Sequence, residues 1–283
     1  ALATVGYGRV QLDLDAGTIE LPAGTRLGLG GIAKGYGVDR AMAVLLERGI
    51  EAYSSGQKAL AAKYGAAAVA RDADYAHAHN FLGVVYHDLG DKILARKAYE
   101  AATRLAPEYA GGWSNLGLLL RQVGEAGRSK EAFERSLALD PSAAVAHNGL
   151  GLALHYLGDP EGAVPHYDAA LALDPGFAEA LYNRGVSQMH AGAVQAAAQS
   201  YFRALEIQPD YVEAMINLAS VHHRHGSLDM ARRYYEMALG VARAAVDDRI
   251  MLHTNLGVTY VMDYDGDRAL AHFGGARALL LQQ

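Results

Sequence analysis

Residues 110–143 read AGGWSNLGLLLRQVGEAGRSKEAFERSLALDPSA, and this pattern of 34 residues recurs along most of the chain. One proline and one glycine mark each copy at a constant spacing. A repeat of this length predicts a helix-turn-helix unit that cannot bury its apolar face alone, so copies must stack on one another. The prolines are Pro107, Pro141, Pro175 and Pro209, and the glycines are Gly83, Gly117, Gly151 and Gly185.

These anchors predict six repeats, of which the first four are regular. The fifth has Ala219 in place of the glycine, and four extra residues, 246–249, precede the sixth. We expect a longer helix or a looser turn at that insertion. A second glycine series, Gly90, Gly124, Gly158, Gly192 and Gly226, predicts left-handed turns that end the first helices. The repeats are 76–109, 110–143, 144–177, 178–211, 212–245 and 250–283.

Small and aromatic residues recur at fixed places inside the repeats. One copy carries Trp113, Leu116 and Gly117, and the second helices carry alanine followed four residues later by an aromatic residue, as in Ala95 and Tyr99. This pattern resembles that of the tetratricopeptide repeat family. The resemblance implies an all-α fold, a right-handed superhelical solenoid of six repeats. It also implies a scaffold or adaptor whose concave groove, lined by first helices, binds a protein or an extended peptide.

Composition excludes several function classes. The formal net charge is −6 and the chain has no stripe of lysine and arginine, so we expect no nucleic acid partner. No apolar run of about 18 residues is present, so no membrane span is predicted. The absence of cysteine excludes disulfides and thiol chemistry but does not separate cytoplasm from periplasm. The chain starts without methionine or a signal peptide, and we expect a soluble, processed or excised piece.

Residues 1–56 have a different sequence pattern from the repeats. Val10, Leu12 and Leu14 alternate with polar residues, and Ile19 and Leu21 alternate again after a turn, which predicts a small β-hairpin. The glycine-rich stretch 28–37 follows and opens a predicted helix that runs to about residue 48, where Gly49 is expected to end it. A strand followed by a glycine loop and a helix N-terminus is a pattern that predicts an anion site.

Three interpretations of the glycine-rich stretch compete. Gly28, Gly30 and Ala33 fit a dinucleotide fingerprint loosely, but no second strand with a terminal acid follows. A P-loop does not fit, because Lys34 precedes its glycine. The sequence LGGIAKGY at 29–36, followed by VDR at 38–40, resembles a signature of the bacterial FAD:protein FMN transferases, the ApbE family.

The resemblance covers only an internal part of the sequence that is typical of these transferases. It implies that Gly31 and Lys34 lie near the metal and the flavin, while Gly28 stands where the family usually has aspartate. The other flavin-binding and metal-binding parts are absent, and phosphoryl transfer needs the whole set in place. We therefore predict a non-catalytic fragment at 1–56 with no catalytic residue and no cofactor. A degenerate capping helix is predicted at 57–75, and its stretch 58–71 is expected to form one degenerate repeat with the predicted helix 38–48. The alternative function is a targeting module attached to a transferase fragment that still binds flavin.

A row of asparagines lies on the predicted first helices. Side-chain amides both donate and accept, so this row predicts a ladder that grips a peptide backbone. The alternative is that the amides bond neighbouring helices. His222, His223 and His225 cluster without further ligands, so no metal site is predicted. The apolar C-terminal helix predicts contact with a second copy of the chain, in a homo-oligomer or a self-assembling scaffold. The candidate groove residues are Asn80, Asn115, Asn148, Asn183, Asn217, Asn255, Arg121, His155, Tyr182, His190, His223 and Arg224.

Overall fold

The computed structural model describes residues 4–5, 10–13, 18–21, 25–28, 40–241 and 246–281. Four short strands pair antiparallel in the order β1-β2-β3-β4, with Asp13 opposite Thr18 between β2 and β3. From Arg40 onward the described residues form helices joined by short turns. The strands are β1 Thr4–Val5, β2 Val10–Asp13, β3 Thr18–Leu21 and β4 Thr25–Gly28.

The described part of the chain contains fourteen helices. They divide between two compact units, Ala1–Gly158 and Asp159–Gln283. The first unit contains α1 Arg40–Ser54, α2 Lys58–Arg71, α3 Ala76–Asp88, α4 Lys92–Leu105, α5 Ala110–Gln122, α6 Ala126–Leu139 and α7 Ala144–Tyr156. The second contains α8 Pro160–Leu173, α9 Ala178–His190, α10 Val194–Ile207, α11 Val212–Arg224, α12 Leu228–Gly240, α13 Val246–Met262 and α14 Gly266–Leu280.

Helices begin and end where the sequence provides caps. The side chain of Asp91 accepts a hydrogen bond from the backbone N–H of Leu94 at the start of α4, and Asp159 caps α8 in the same way. After α5, Gly124 has a φ of 82°, and its N–H donates to the carbonyl of Arg121 at 3.0 Å. The left-handed turns predicted at the five recurring glycines are confirmed, since all five have positive φ.

The recurring aromatic of each second helix forms the core. In the first unit the ring of Phe133, on α6, is fully buried and packs against Gly117 of α5 and Gly149 of α7. A Cβ at Gly149 would overlap the ring and one at Gly117 would lie only 3.0 Å from it, so the two glycines let the helices approach closely. The equivalent rings Tyr99, Tyr167, Tyr201 and Tyr235 are buried, whereas Phe273 of the last repeat is 36% exposed.

Two helices precede the first regular repeat, in the region where the sequence predicts a degenerate repeat. Gly49 does not end a helix, because α1 continues through it to Ser54 and Gly49 lies against the ring of Phe81. The turn comes at Gly56, which has a φ of 78°, and α1 then packs against α2. Gly49 and Gly56 stand one repeat length before Gly83 and Gly90. The boundary predicted at residue 56 therefore falls inside a helical hairpin, and 57–75 is half of that hairpin.

The four-residue insertion before the last repeat lengthens a helix, which is one of the two outcomes expected from the sequence. Helix α13 has 17 residues, whereas α11 has 13. The turn after α13 places Tyr264 where the other repeats have glycine. Its φ is 59° and its side chain is 97% exposed. A residue with a Cβ in this left-handed region is strained, and this tyrosine has almost no packing to offset the strain.

Replacing Tyr264 with glycine is therefore expected to raise the free energy of unfolding by about 1 kcal/mol, the usual cost of left-handed backbone in an L-residue. Urea denaturation measures the change. Gly226→Ala, at the equivalent turn after α11, serves as the reciprocal control and should lower stability by a similar amount. A Tyr264→Gly variant no more stable than the wild type would contradict this account of the turn.

Candidate functional site

Two asparagines of the predicted ladder meet inside the first unit. Asn80 of α3 is fully buried, and its Nδ2 donates to the hydroxyl of Tyr109 at 3.1 Å. Asn115 of α5 is also buried, and its Nδ2 donates to Oδ1 of Asn80 at 3.0 Å. These amides bond neighbouring helices, as the alternative interpretation proposed. The two buried amides hydrogen-bond to each other and to Tyr109, and whether either also contacts a ligand stays a prediction.

A group of three rings lies next to this asparagine pair. The ring of His77 is 5.5 Å from that of Tyr75 and 4.7 Å from that of Tyr109, centroid to centroid. Burial raises the pKa of Tyr75 to about 12, and the charge of Asp72 adds to the effect. Burial also lowers the pKa of His77, against a weaker opposing effect of Glu108. His77 is therefore neutral at pH 7, and the group presents an apolar, aromatic surface.

Polar groups follow at the C-terminal ends of the first helices. Nε2 of His87 donates to Oε1 of Gln122 at 2.7 Å. Arg121 occupies in α5 the repeat position that His87 occupies in α3, and His155 occupies it in α7. The Nε of Arg121 is buried and has no hydrogen-bond acceptor among the residues the structure describes. This part of the first unit offers donors more than acceptors.

The second unit has its own aromatic pair, formed by Tyr182 of the first helix α9 and Tyr211, the residue before α11. The rings of Tyr182 and Tyr211 lie 5.0 Å apart at 33°, and Nδ2 of Asn217 is 3.5 Å from the Tyr182 hydroxyl. Glu179 and Glu213 have exposed side chains and lie near enough to Tyr211 for their charges to act on its hydroxyl. Burial is the first cause that raises the pKa of Tyr211, and the charges of these two glutamates add to it. Half-buried rings and carboxylates therefore share one surface.

The histidines of α11 contact neighbouring helices. Nδ1 of His223 is 3.0 Å from Oγ1 of Thr259, and the ring of His222 stacks on Tyr234 with centroids 5.7 Å apart. Across the ranges that the structure describes, no three histidine or acidic side chains converge as a metal site would require. No helix in those ranges is long and apolar enough to cross a bilayer.

The structure places the other predicted groove residues in different environments. Asn148 and Asn183 are buried, and Asn255 is half-buried. His190 and Arg224 are exposed at the ends of α9 and α11. Whether these residues bind a ligand stays a prediction. Gly31 and Lys34 lie outside the described residues.

Sequence reasoning missed three tyrosines of the two aromatic groups. Tyr75, Tyr109 and Tyr211 stand at the last position of a repeat, just before the next first helix. A signal for them was present, because the phrases Asp74-Tyr75-Ala76 and Asp210-Tyr211-Val212 recur at repeat boundaries. The recurrence marked the boundary, whereas the ring contacts show that the same residues also shape the surface of the first helices.

Comparisons with known proteins are consistent with this architecture. The matched chain of the APC/C hetero-tetramer Cut9-Hcn1 is 20% identical with a TM-score of 0.67; the alignment covers 77% of this chain and 44% of that one. A tetratricopeptide repeat protein from Parabacteroides merdae is 16% identical, with coverages of 85% and 94% and a TM-score of 0.64. YrrB, described as a TPR protein with an unusual peptide-binding site, is 18% identical, with coverages of 68% and 96% and a TM-score of 0.53.

These structural matches show a shared fold, and this chain spans less than half of the matched Cut9-Hcn1 chain. A sequence comparison with curated proteins gives no match. A family model described as the ApbE family matches residues 1–54, which confirms the resemblance noted there. Models described as tetratricopeptide repeat match residues 46–110, 114–176, 155–212 and 212–249. Because these matches cover more than half of the sequence, the chain belongs to the tetratricopeptide repeat family.

Proposed function

We propose that this chain is a protein-interaction module whose first helices bind an extended segment of a partner protein. The observation that carries the proposal is the aromatic and acidic surface of the second unit. There the rings of Tyr182 and Tyr211 lie 5.0 Å apart beside the exposed carboxylates of Glu179 and Glu213. Rings and carboxylates together fit a lysine or arginine side chain of a peptide.

The chemistry of such a contact follows from charge and desolvation. A cation placed over a tyrosine ring is stabilised by about 0.5–1 kcal/mol at an exposed site. Exposed carboxylates add a modest attraction that salt weakens. The long aliphatic stem of lysine or arginine can meanwhile cover the half-buried rings, so the contact combines apolar burial with charge. We therefore expect affinity that falls as ionic strength rises.

The first unit supports the proposal with complementary chemistry. The buried Nε of Arg121 lacks an acceptor among the described residues, and a peptide carbonyl or carboxylate would supply one. The ring group of Tyr75, His77 and Tyr109 provides apolar surface. YrrB, which shares the fold, is described as having a peptide-binding site, so peptide binding is compatible with this architecture.

Selection from a displayed library of random 12-residue peptides tests the proposal. We expect ligands enriched in lysine or arginine that bind with dissociation constants in the micromolar range, on the order of −8 kcal/mol. Fluorescence anisotropy with one selected peptide should then show at least about tenfold weaker binding to the variant Glu179→Ala/Glu213→Ala, equal to about 1.4 kcal/mol.

A matched control separates a local contact from a general effect of net charge. Glu131→Ala/Glu161→Ala removes two exposed carboxylates from second helices and changes the net charge by the same amount. This variant should bind the peptide as the wild type does. Equal weakening in both variants, or a library that yields no enriched sequence, would contradict the proposed function.

The ApbE-family match favours one second candidate. If residues 1–54 retain flavin-nucleotide binding, the repeats would recruit the protein to be modified. Calorimetric titration of the chain with FAD and magnesium separates the two candidates. Only the second candidate requires the chain to bind FAD, and that binding would be recorded as heat. The FAD titration and the peptide measurements are independent, so each candidate can be rejected without rejecting the other.

A further inference from the structure

An apolar groove opens between two second helices of the second unit. It lies between α10 and α12 and has a volume of about 360 Å³. Its lining includes Phe202, Leu205, Glu206, Met230, Arg233 and Met237. Phe202 is 49% exposed, and both methionine side chains are exposed as well. The groove therefore presents large apolar groups to water without a covering element among the described residues.

The repeat register shows that Phe202 departs from the other repeats. The equivalent position carries Glu100, Glu134, Asp168 and Glu236 in four of them. An acidic residue is the expected solution for an exposed site on a second helix, because it needs no covering partner. An exposed phenylalanine beside two exposed methionines is the composition of an interface core. This position indicates a contact surface that the other repeats lack.

Two charges at the groove lack partners. Glu206 and Arg233 both line it, and neither makes an ion pair or a hydrogen bond with any residue the structure describes. The adjacent Arg232, in contrast, pairs with Asp229 and Asp263. One acid and one base on a single apolar surface make that surface electrostatically self-complementary. A two-fold axis would bring Glu206 of each copy to Arg233 of the other.

We propose that this groove is the contact surface of a homodimer, in which a second copy of the chain inserts its Phe202 between Met230 and Met237. In such an isologous contact the apolar centre is covered and both charges gain partners at once. Eight residues line the groove, fewer than the roughly 20–30 residues that each partner contributes to a standard stable interface, so the dimer is weak. We expect a dissociation constant on the order of 10 μM.

Sedimentation equilibrium across about 2–200 μM, a range that brackets the expected constant, tests the proposal on the full chain. The wild type should shift from monomer to dimer. The single reversals Glu206→Arg and Arg233→Glu should each weaken dimerisation by at least about tenfold, because each places like charges opposite one another twice in the dimer. The double variant Glu206→Arg/Arg233→Glu should restore the wild-type constant, since the pairs form again with their signs exchanged.

Two further variants guard against misfolding and nonspecific effects. Phe202→Glu introduces the residue type that three other repeats carry at this position, so it should fold normally and remain monomeric. Ile93→Glu changes an equally apolar residue, 71% exposed on α4, and should dimerise as the wild type does. A wild type that stays monomeric at about 200 μM overturns the proposal. A dimer that survives the single reversals, or a double reversal that fails to restore it, overturns it as well.

Discussion

The variant Phe133→Ala is expected to lose about 3–5 kcal/mol of unfolding free energy, the range for deleting a fully buried phenylalanine. Phe133 is 0% exposed, and its ring contacts Gly117 and Gly149 on the two flanking first helices. Glycine has no side chain that could move into the vacated space. The cavity would therefore remain largely open unless the helices themselves shifted, which places the loss toward the upper part of that range.

Urea denaturation followed by circular dichroism measures this loss. Ile93→Ala, which shortens a side chain that is 71% exposed on α4 of the same unit, is the matched control. It should change stability by less than about 0.5 kcal/mol. Comparing the denaturant slopes as well as the midpoints shows whether the units unfold together. A loss below about 1 kcal/mol for Phe133→Ala would contradict the packing described for α5, α6 and α7.

The repeat period predicted those features that depend on residues close in sequence. Turn glycines and core aromatics follow from helix geometry, because a fixed spacing fixes which side of a helix a residue occupies. The spacing of the repeats alone therefore assigns Gly124 to a turn and Phe133 to the core. The helix end predicted at Gly49 was wrong for a different reason. That glycine leaves space for Phe81 of α3, and such a contact between helices is not visible in local sequence.

The asparagine row shows the same limit within the candidate site. Asn80 stands at the fifth position of its repeat and Asn115 at the sixth, so an alignment of repeats places them on different parts of the helix surface. In the structure the two side chains nevertheless form a hydrogen bond of 3.0 Å between neighbouring repeats. Whether an amide meets a ligand or another helix depends on the stagger of neighbouring helices. A single sequence does not encode that stagger in its spacing.

Asn80→Ala is expected to lower the unfolding free energy by about 2–3 kcal/mol. The substitution removes the acceptor for the buried Nδ2 of Asn115 and the donor to the Tyr109 hydroxyl. A buried polar group left without a partner costs about 1–3 kcal/mol, and the half-buried Tyr109 can recover part of its loss through water. Asn115→Ala should cost less, because it leaves only Oδ1 of Asn80 without its donor.

A double-mutant cycle in urea separates this structural role from a purely ligand-binding one. The cycle compares the single variants Asn80→Leu and Asn115→Leu with Asn80→Leu/Asn115→Leu. The double variant replaces both amides by apolar groups of similar size, so neither amide is left buried without a partner. The coupling energy between the two sites should therefore be about 1–2 kcal/mol. Asn217→Ala is the control, since the contact of this half-buried amide with the Tyr182 hydroxyl is long, 3.5 Å, and its loss should cost about 0.5 kcal/mol.

The outcome decides how the asparagine row acts. If both single variants in the first unit were as stable as the wild type while peptide affinity fell, Asn80 and Asn115 would be ligand-contacting residues despite their burial. Loss of stability with strong coupling would instead show that the amides hold α3 and α5 in register. Peptide affinity would then depend on them only through the position of Tyr109, whose ring they fix beside His77. Tyr109→Phe distinguishes these routes, because it keeps the ring and removes the hydroxyl that Asn80 holds.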